Sequence, residues 1–325
     1  MITVLSGGVG AARFLRALLQ IVPAAEVSAV VNTADDTVMH GLSISPDIDT
    51  VTYTLAGAID PERGWGLRDE SWRAMEALVR FTTVRPPGST AAPTWFNLGD
   101  QDLATHFYRT ARLQEGATLT EVTAEICRAF GLEIALLPMS DARVETRVTL
   151  ADSAPSNGEP LEISFQEYFV QRQHGVPVSS IRFAGADTAR LTDAAEHALA
   201  SADVVVIAPS NPLVSIGPLR ALRGVDSLLA GRRDSVVAVS PIVGGAALKG
   251  PADHMLTELG HEASVVGVAR LYAPIAGALV IDPADAHLAE AVEAVGMRAV
   301  VVPSIMSSAE VSAHLARETL AAAAT

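Results

Sequence analysis

Four carboxylates fall within fifteen residues: Asp35, Asp36, Asp47 and Asp49. Hard cations take oxygen ligands, and Mg²⁺ commonly binds one or two carboxylates together with substrate phosphates. The flanks Ser45-Pro46 and Thr50 suggest a held loop, so the group reads as a metal or substrate site. Each acid alone also has an ordinary reading. Asp49 can cap a helix over residues 50–58, and Asp35 and Asp36 can face solvent.

Upstream stands Ser6-Gly7-Gly8-Val9-Gly10. The dinucleotide fingerprint would want a further glycine where Arg13 stands, and no Lys-Ser/Thr pair follows as in a P-loop. The segment still offers bare N–H groups at a helix N-terminus, which suits a phosphate, with Arg13 one turn in as a charged donor. A tight turn without ligand is the alternative; the position after the first strand favours the phosphate. In Pro209-Ser210-Asn211-Pro212-Leu213-Val214-Ser215-Ile216-Gly217-Pro218, prolines stiffen a loop on which Ser210, Asn211 and Ser215 can converge on a ligand. Trp95-Phe96-Asn97-Leu98-Gly99-Asp100 is either a wall for a flat ring or a packing anchor.

Other chemistries find little footing. The eight histidines include no pair at zinc-ligand spacing, and no Gly-x-Ser-x-Gly elbow occurs. The lone Cys127 lies in a predicted amphipathic helix and reads as a buried, inert thiol.

The elements that must position these groups alternate between strand and helix. Ile2–Ser6, the glycine loop, a helix over 11–20 and Val27–Val31 form a strand–loop–helix–strand unit, which predicts a right-handed crossover and a parallel pair. Residues 33–46 read as a polar loop. Helices are expected over 69–81, 100–114 and 119–130, the last with a Thr118/Glu121 capping box and a Gly131 stop. Strands are expected at Ile134–Leu137, Val144–Leu150, Val178–Phe183, Val204–Ile207, Val236–Val239, Leu279–Ile281 and Ala299–Val302. Residues 153–160 suggest a hairpin-type turn, and helices are expected over 285–295 and 308–323. Ligands of an open parallel sheet bind beyond the carboxyl ends of its strands. The loops after Leu5, Ile207 and Val239 are therefore the places to look.

With 325 residues, 49% hydrophobic and only 5% aromatic, the chain suits an α/β protein with a sizeable core. Its net charge of −14 argues against general nucleic-acid binding. The apolar runs are strand-sized, so no membrane span is expected. Residues 1–20 lack a basic n-region, which with the single cysteine points to the cytoplasm.

Taken together the segments resemble one family. They are Gly7–Arg13, Asn32-Thr33-Ala34-Asp35-Asp36, His40-Gly41, Ser45–Val51, Gly64-Trp65-Gly66, Leu98–His106, Leu137–Asp141, Phe165–Phe169, Pro209–Pro218 and Ser240–Gly245. This pattern is similar to the 2-phospho-L-lactate transferase family of coenzyme F420 biosynthesis, over residues 1 to about 285. The resemblance implies a Rossmann-like, mostly parallel core from residues 1–60 and 200–325, with a largely helical or mixed segment over 61–199 inserted. It implies a homodimer and Mg²⁺, with Asp47 and Asp49 as metal ligands at the reaction centre. A phospho-lactyl or phospho-enolpyruvyl group would pass from a guanosine diphospho donor to the ribityl hydroxyl of the deazaflavin Fo, with release of GMP.

Gly7, Gly8, Gly10, Arg13, Asn32, Ser210, Asn211 and Ser215 would hold the donor. Asp49, Trp95, Asn97 and Met139 would meet the deazaflavin, and Asp49 or Asp36 would take the hydroxyl proton. Gln101 departs from the arginine common at that position. Two other readings are a non-catalytic nucleotide-sugar-binding regulator with a similar glycine loop, and an NAD-dependent dehydrogenase, which Arg13 disfavours.

Overall fold

The computed structural model describes residues 1–151 and 160–323. The predicted turn over 153–160 falls almost wholly outside them. Fourteen strands are assigned among the described residues: β1 Ile2–Ser6, β2 Val27–Val31, β3 Thr37–Met39, β4 Leu42–Ile44, β5 Ala135–Pro138, β6 Glu145–Leu150, β7 Glu162–Ser164, β8 Val178–Ala184, β9 Val204–Ile207, β10 Val236–Val239, β11 Ile242–Val243, β12 Ala246–Ala247, β13 Ala278–Ile281 and β14 Arg298–Val301. Seven form the central sheet in the order β14-β13-β10-β9-β1-β2-β5, with every pairing parallel.

Alternation along the strands explains why this sheet has two covered faces. Leu5, Val30, Val205, Ile207, Ala238 and Leu279 point into one core. Val4, Ala29, Val31, Val206, Val237 and Val280 point into the other. Helix α1 (Gly8–Leu18) packs on the second face through Ala11, Phe14, Leu15 and Leu18, and α2 (Pro46–Leu55) joins it through Ile48 and Val51. The chain leaves β1 for β2 on one side and later reaches β9 on the other, so the strand order reverses at β1. Ligand crevices of doubly wound sheets open at such a point.

β5 is the edge strand of this sheet although it lies within the stretch read as inserted. The rest of that stretch adds α3 (Arg73–Thr82), α4 (Asp100–Gln114), α5 (Leu119–Ala129) and a separate antiparallel sheet of order β7-β6-β8. The capping box of α5 is formed by Thr118 and Glu121. Residues 33–46 are not a plain loop. β3 and β4 pair antiparallel there, turned by His40 and Gly41 at φ 54° and 78°. Two left-handed residues in succession suit a two-residue hairpin turn. A second correction concerns Asp49. Helix α2 begins at Pro46, which favours the first helical position, so Asp49 lies inside the first turn and does not cap it. No helix among the described residues is long and apolar enough to cross a membrane.

Candidate active site

The glycine loop, the Pro209–Pro218 loop and the start of α2 meet at the carboxyl end of β1. A Cβ placed on Gly7 would stand 2.6 Å from Ser215 Cβ and 3.0 Å from Asp47 Oδ2. One placed on Gly10 would stand 2.1 Å from the carbonyl oxygen of Pro209. Ser210 Oγ donates to the Gly7 carbonyl at 2.9 Å, so the two loops are tied. Asn211 Oδ1 accepts from the Leu213 and Val214 amides at 2.9 and 3.4 Å, bracing its own loop. In the third expected loop, Ser240 bonds within its own turn and to β13, and the Gly244 amide donates to Asp285.

Asp47 sits against this junction. Its Oδ2 accepts from Asn32 Nδ2 at 2.9 Å, and the Gly8 amide donates to the carboxyl. Burial raises its pKa to about 6 against those two hydrogen bonds. Asn32 is itself fixed, because its Oδ1 accepts from the Ala34 amide at 3.0 Å. Asp35 is buried beside Asp47, and burial followed by the Asp47 charge pushes its pKa well up. In Asp36 burial is again the main cause and pushes the carboxyl up to about 8, although Ser45 Oγ donates to its Oδ2 at 2.7 Å. The Oδ1 atoms of Asp35 and Asp36 are buried without a hydrogen-bond partner. Buried carboxylates are expected to be paired or to coordinate a cation. Asp35 and Asp47 act on each other by charge and Asp35 Oδ1 is unpartnered, so this pair offers the oxygen donors that a hard divalent ion takes.

Asp49 turns to other company. Residues two apart on a helix point about 200° apart around its axis, so Asp49 cannot share the direction of Asp47. Its two oxygens accept from Nη1 and Nη2 of Arg109 on α4, the Nη1 contact at 3.1 Å. Arg109 Nη1 also lies 3.1 Å from His106 Nδ1 and 3.4 Å from the Ser43 carbonyl oxygen. His106 Nε2 lies 3.2 Å from Asp102 Oδ1, which accepts from Tyr53 Oη at 2.7 Å. Burial opposes ionisation of Asp102, but the hydrogen bonds from His106 and then Tyr53 hold its pKa below the usual range. Ligand atoms of Asp49, Asp102 and His106 all lie within 4.8 Å of one another, a grouping compatible with a divalent metal. The guanidinium of Arg109 occupies the same Asp49 oxygens.

Two cavities flank the β3–β4 hairpin. One of about 380 Å³ is lined by Thr33, Asp36, Ser45, Ser140 and Arg143 among others. The other, of about 1010 Å³, is lined by Met39, His40, Arg85, Trp95 and Glu167 among others.

The family model for 2-phospho-L-lactate transferase CofD matches residues 2–319. The chain belongs to the CofD family. A phosphoenolpyruvate transferase of Kitasatospora aureofaciens is 41% identical over 324 residues, 99% of this chain and 97% of its own. Those of Streptomyces griseus and Mycolicibacterium smegmatis are 41% and 39% identical, over 98% and 97% of this chain and 97% and 96% of theirs. A crystal structure of a UPF0052 family member from Bacillus halodurans superposes with a TM-score of 0.59 at 13% identity, covering 98% of each chain, a likeness of fold.

Within this CofD-family chain the remaining expected residues scatter. Arg13 is exposed on α1, between buried Ala12 and Phe14, and Asn97 is exposed too. Met139 is fully buried in the core with Leu5, Val30 and Val144, so its side chain presents no surface for a ring. Trp95 is placed between a cavity and a small apolar cluster. It lines the larger cavity, and it packs edge-on against Phe96 at 5.9 Å beside Met39, Ile44 and Leu98. No motif in the sequence points to Arg109 or Tyr53, and Asp102 and His106 stand out only as part of Leu98–His106. A signal existed: Asp102, His106 and Arg109 share i, i+4 and i+3 spacing on a predicted helix, which aligns three charges on one face.

Proposed function

We propose that this chain transfers a phospho-enolpyruvyl or phospho-lactyl group from a guanosine diphospho donor to the ribityl hydroxyl of Fo, as a step of coenzyme F420 biosynthesis. The observation that carries this is the junction of Gly7, Asp47 and Ser215 at the carboxyl end of β1, in a chain matched over nearly its whole length by the CofD model. The name shared by the three relatives favours the enolpyruvyl donor. A homodimer and a cytoplasmic setting complete the reading.

Asp47 and the adjacent Asp35 would hold Mg²⁺, which neutralises the donor diphosphate when bound. In this reading Asp49 is not a ligand, because a guanidinium already in contact with both its oxygens repels a dication. The amides at the start of α1 and the hydroxyl of Ser215 face the phosphates, and Ser210 ties its loop to Gly7. Asn211 serves by stiffening that loop. Asp36 takes the proton of the attacking hydroxyl through Oδ1, the oxygen that Ser45 leaves open. The hydroxyl oxygen bonds to the phosphorus distal to guanosine as the bond to GMP breaks in line. Such transfers rest on positioning and charge stabilisation, so no covalent enzyme intermediate is needed. The flat ring lies in the larger cavity beside Trp95.

The test is a mass-spectrometric assay with Fo, Mg²⁺ and each guanosine diphospho donor, with and without EDTA. A product of Fo plus the phospho-acid, GMP release and loss of both on chelation is the expected result. No product with any donor, and no binding of Fo, would sink the reading and leave a nucleotide-binding regulator in its place.

A further inference from the structure

Among the described residues Arg109 is the one fully buried arginine, and the transfer chemistry above leaves it without a task. The guanidinium meets Asp49 from α2, His106 from its own helix and the Ser43 carbonyl from β4, and Asp36 lies close enough to act on it by charge. We propose that Arg109 is a positioning residue of the transfer reaction that acts through Asp49, fixing the first turn of α2 from which Asp47 reaches the glycine loop. This rests on the transferase reading.

Three observations support it. First, the contact is two-pronged. A planar fork with two parallel bonds sets the direction of a carboxylate as well as its charge, which a lysine ammonium does not. Second, the contacts close a ring. Arginine only donates, so His106 Nδ1 must accept and its proton lies on Nε2, facing Asp102. Asp102 in turn accepts from Tyr53, four residues beyond Asp49 on the same helix. Helix α2 is thus pinned to α4 at two points one turn apart and cannot roll about its axis. The far side of that turn carries Asp47, held at Asn32 and Gly8. Third, the guanidinium reserves Asp49. The ligand atoms of Asp49, Asp102 and His106 lie within 4.8 Å of one another, and Arg109 covers the Asp49 oxygens that a metal in this group would need.

The experiment is a cycle of Arg109→Gln, Asp49→Asn and the double variant, read by kcat and KM well below the lowest Tm and by titration with Mn²⁺ alone. Arg109→Gln is expected to lower kcat about a hundredfold, with both KM values little changed, as a small misplacement does. Asp49→Asn is expected to do the same, and the double variant to fall no further than Asp49→Asn. Mn²⁺ should bind Arg109→Gln more tightly than wild type, with the gain lost in the double variant and Asp49→Asn leaving wild-type binding unchanged. Losses that multiply, or wild-type Mn²⁺ binding already abolished by Asp49→Asn, overturn the proposal. Should the neutral variant not fold, Arg109→Lys keeps the buried charge without the fork. A lowered kcat at unchanged Tm is then expected, and an unchanged kcat is the overturning result. If wild type turns over no donor, the transferase reading fails separately, and the Mn²⁺ titration alone decides whether Arg109 holds Asp49.

Discussion

Asp47 carries the densest set of constraints of any acid here. It lies within reach of the glycine loop, accepts from Asn32 and the Gly8 amide, and raises the pKa of Asp35. Replacing it by Asn keeps the shape and an acceptor oxygen but removes the charge that a cation needs. Asp47→Asn should therefore fold with a Tm near or above wild type, because a buried charge is removed. Its Mn²⁺ affinity should fall steeply, and kcat should fall with it. Wild-type metal affinity in the folded variant would take Asp47 out of the metal set. Asp49, two residues on, is legible in the sequence as an acid of the site, but its partner is not. Nothing local in Ser45–Val51 announces that a guanidinium sixty residues later will cover it.

At the scale of elements, the site depends on backbones that approach more closely than side chains permit. Gly10 faces the Pro209 carbonyl at a distance where no Cβ fits, and neither partner is a flexible side-chain end. Gly10→Ala must push α1 away from the Pro209–Pro218 loop, and overpacking of this kind costs about 1–3 kcal/mol. We expect a lower urea midpoint at unchanged slope, together with weaker donor binding than Asp36→Asn shows. Wild-type stability in Gly10→Ala would mean that the two loops do not touch in solution. The glycines are visible in the sequence as a loop. Their reason is visible only once β9 is seen to pair with β1.

At the scale of the whole molecule, the acidic cluster links folding stability to pH. Asp36 has a pKa of about 8 in the folded chain against 3.8 for the unperturbed group. Asp35 and Asp47 are raised as well. A raised carboxyl binds its proton more tightly when folded than when unfolded, so rising pH favours the unfolded chain between these values. The metal-free protein should lose stability steadily from about pH 4 to about pH 8, and Asp36→Asn should flatten that slope. Mg²⁺ should restore stability most at the alkaline end, where the carboxylates are free to bind it. Thermal melts across this range with and without Mg²⁺ measure it; a metal-free Tm that rises with pH would contradict the burial of these acids.

The sequence by itself determined the alternation of buried strands and helices, the glycine loop behind the first strand, the cap of α5 and the family, because each is written in neighbouring residues or in ordered motifs. It also marked Asp36, Asp47, Asn32 and the Ser210–Ser215 segment as candidates for the site. Only the tertiary structure decided which acids face one another. Strand pairing set β9 against β1 and brought Ser215 to Gly7. The start of α2 at Pro46 turned Asp47 and Asp49 to different sides. Packing of α4 against β4 and α2 buried Arg109 on Asp49. Met139 shows the converse: it lies in a matched motif, yet strand alternation and the core beside β2 left it no exposed surface. Sequence fixes what each residue can do, and long-range packing chooses its partner, because contacts between residues tens of positions apart depend on the summed burial of whole elements.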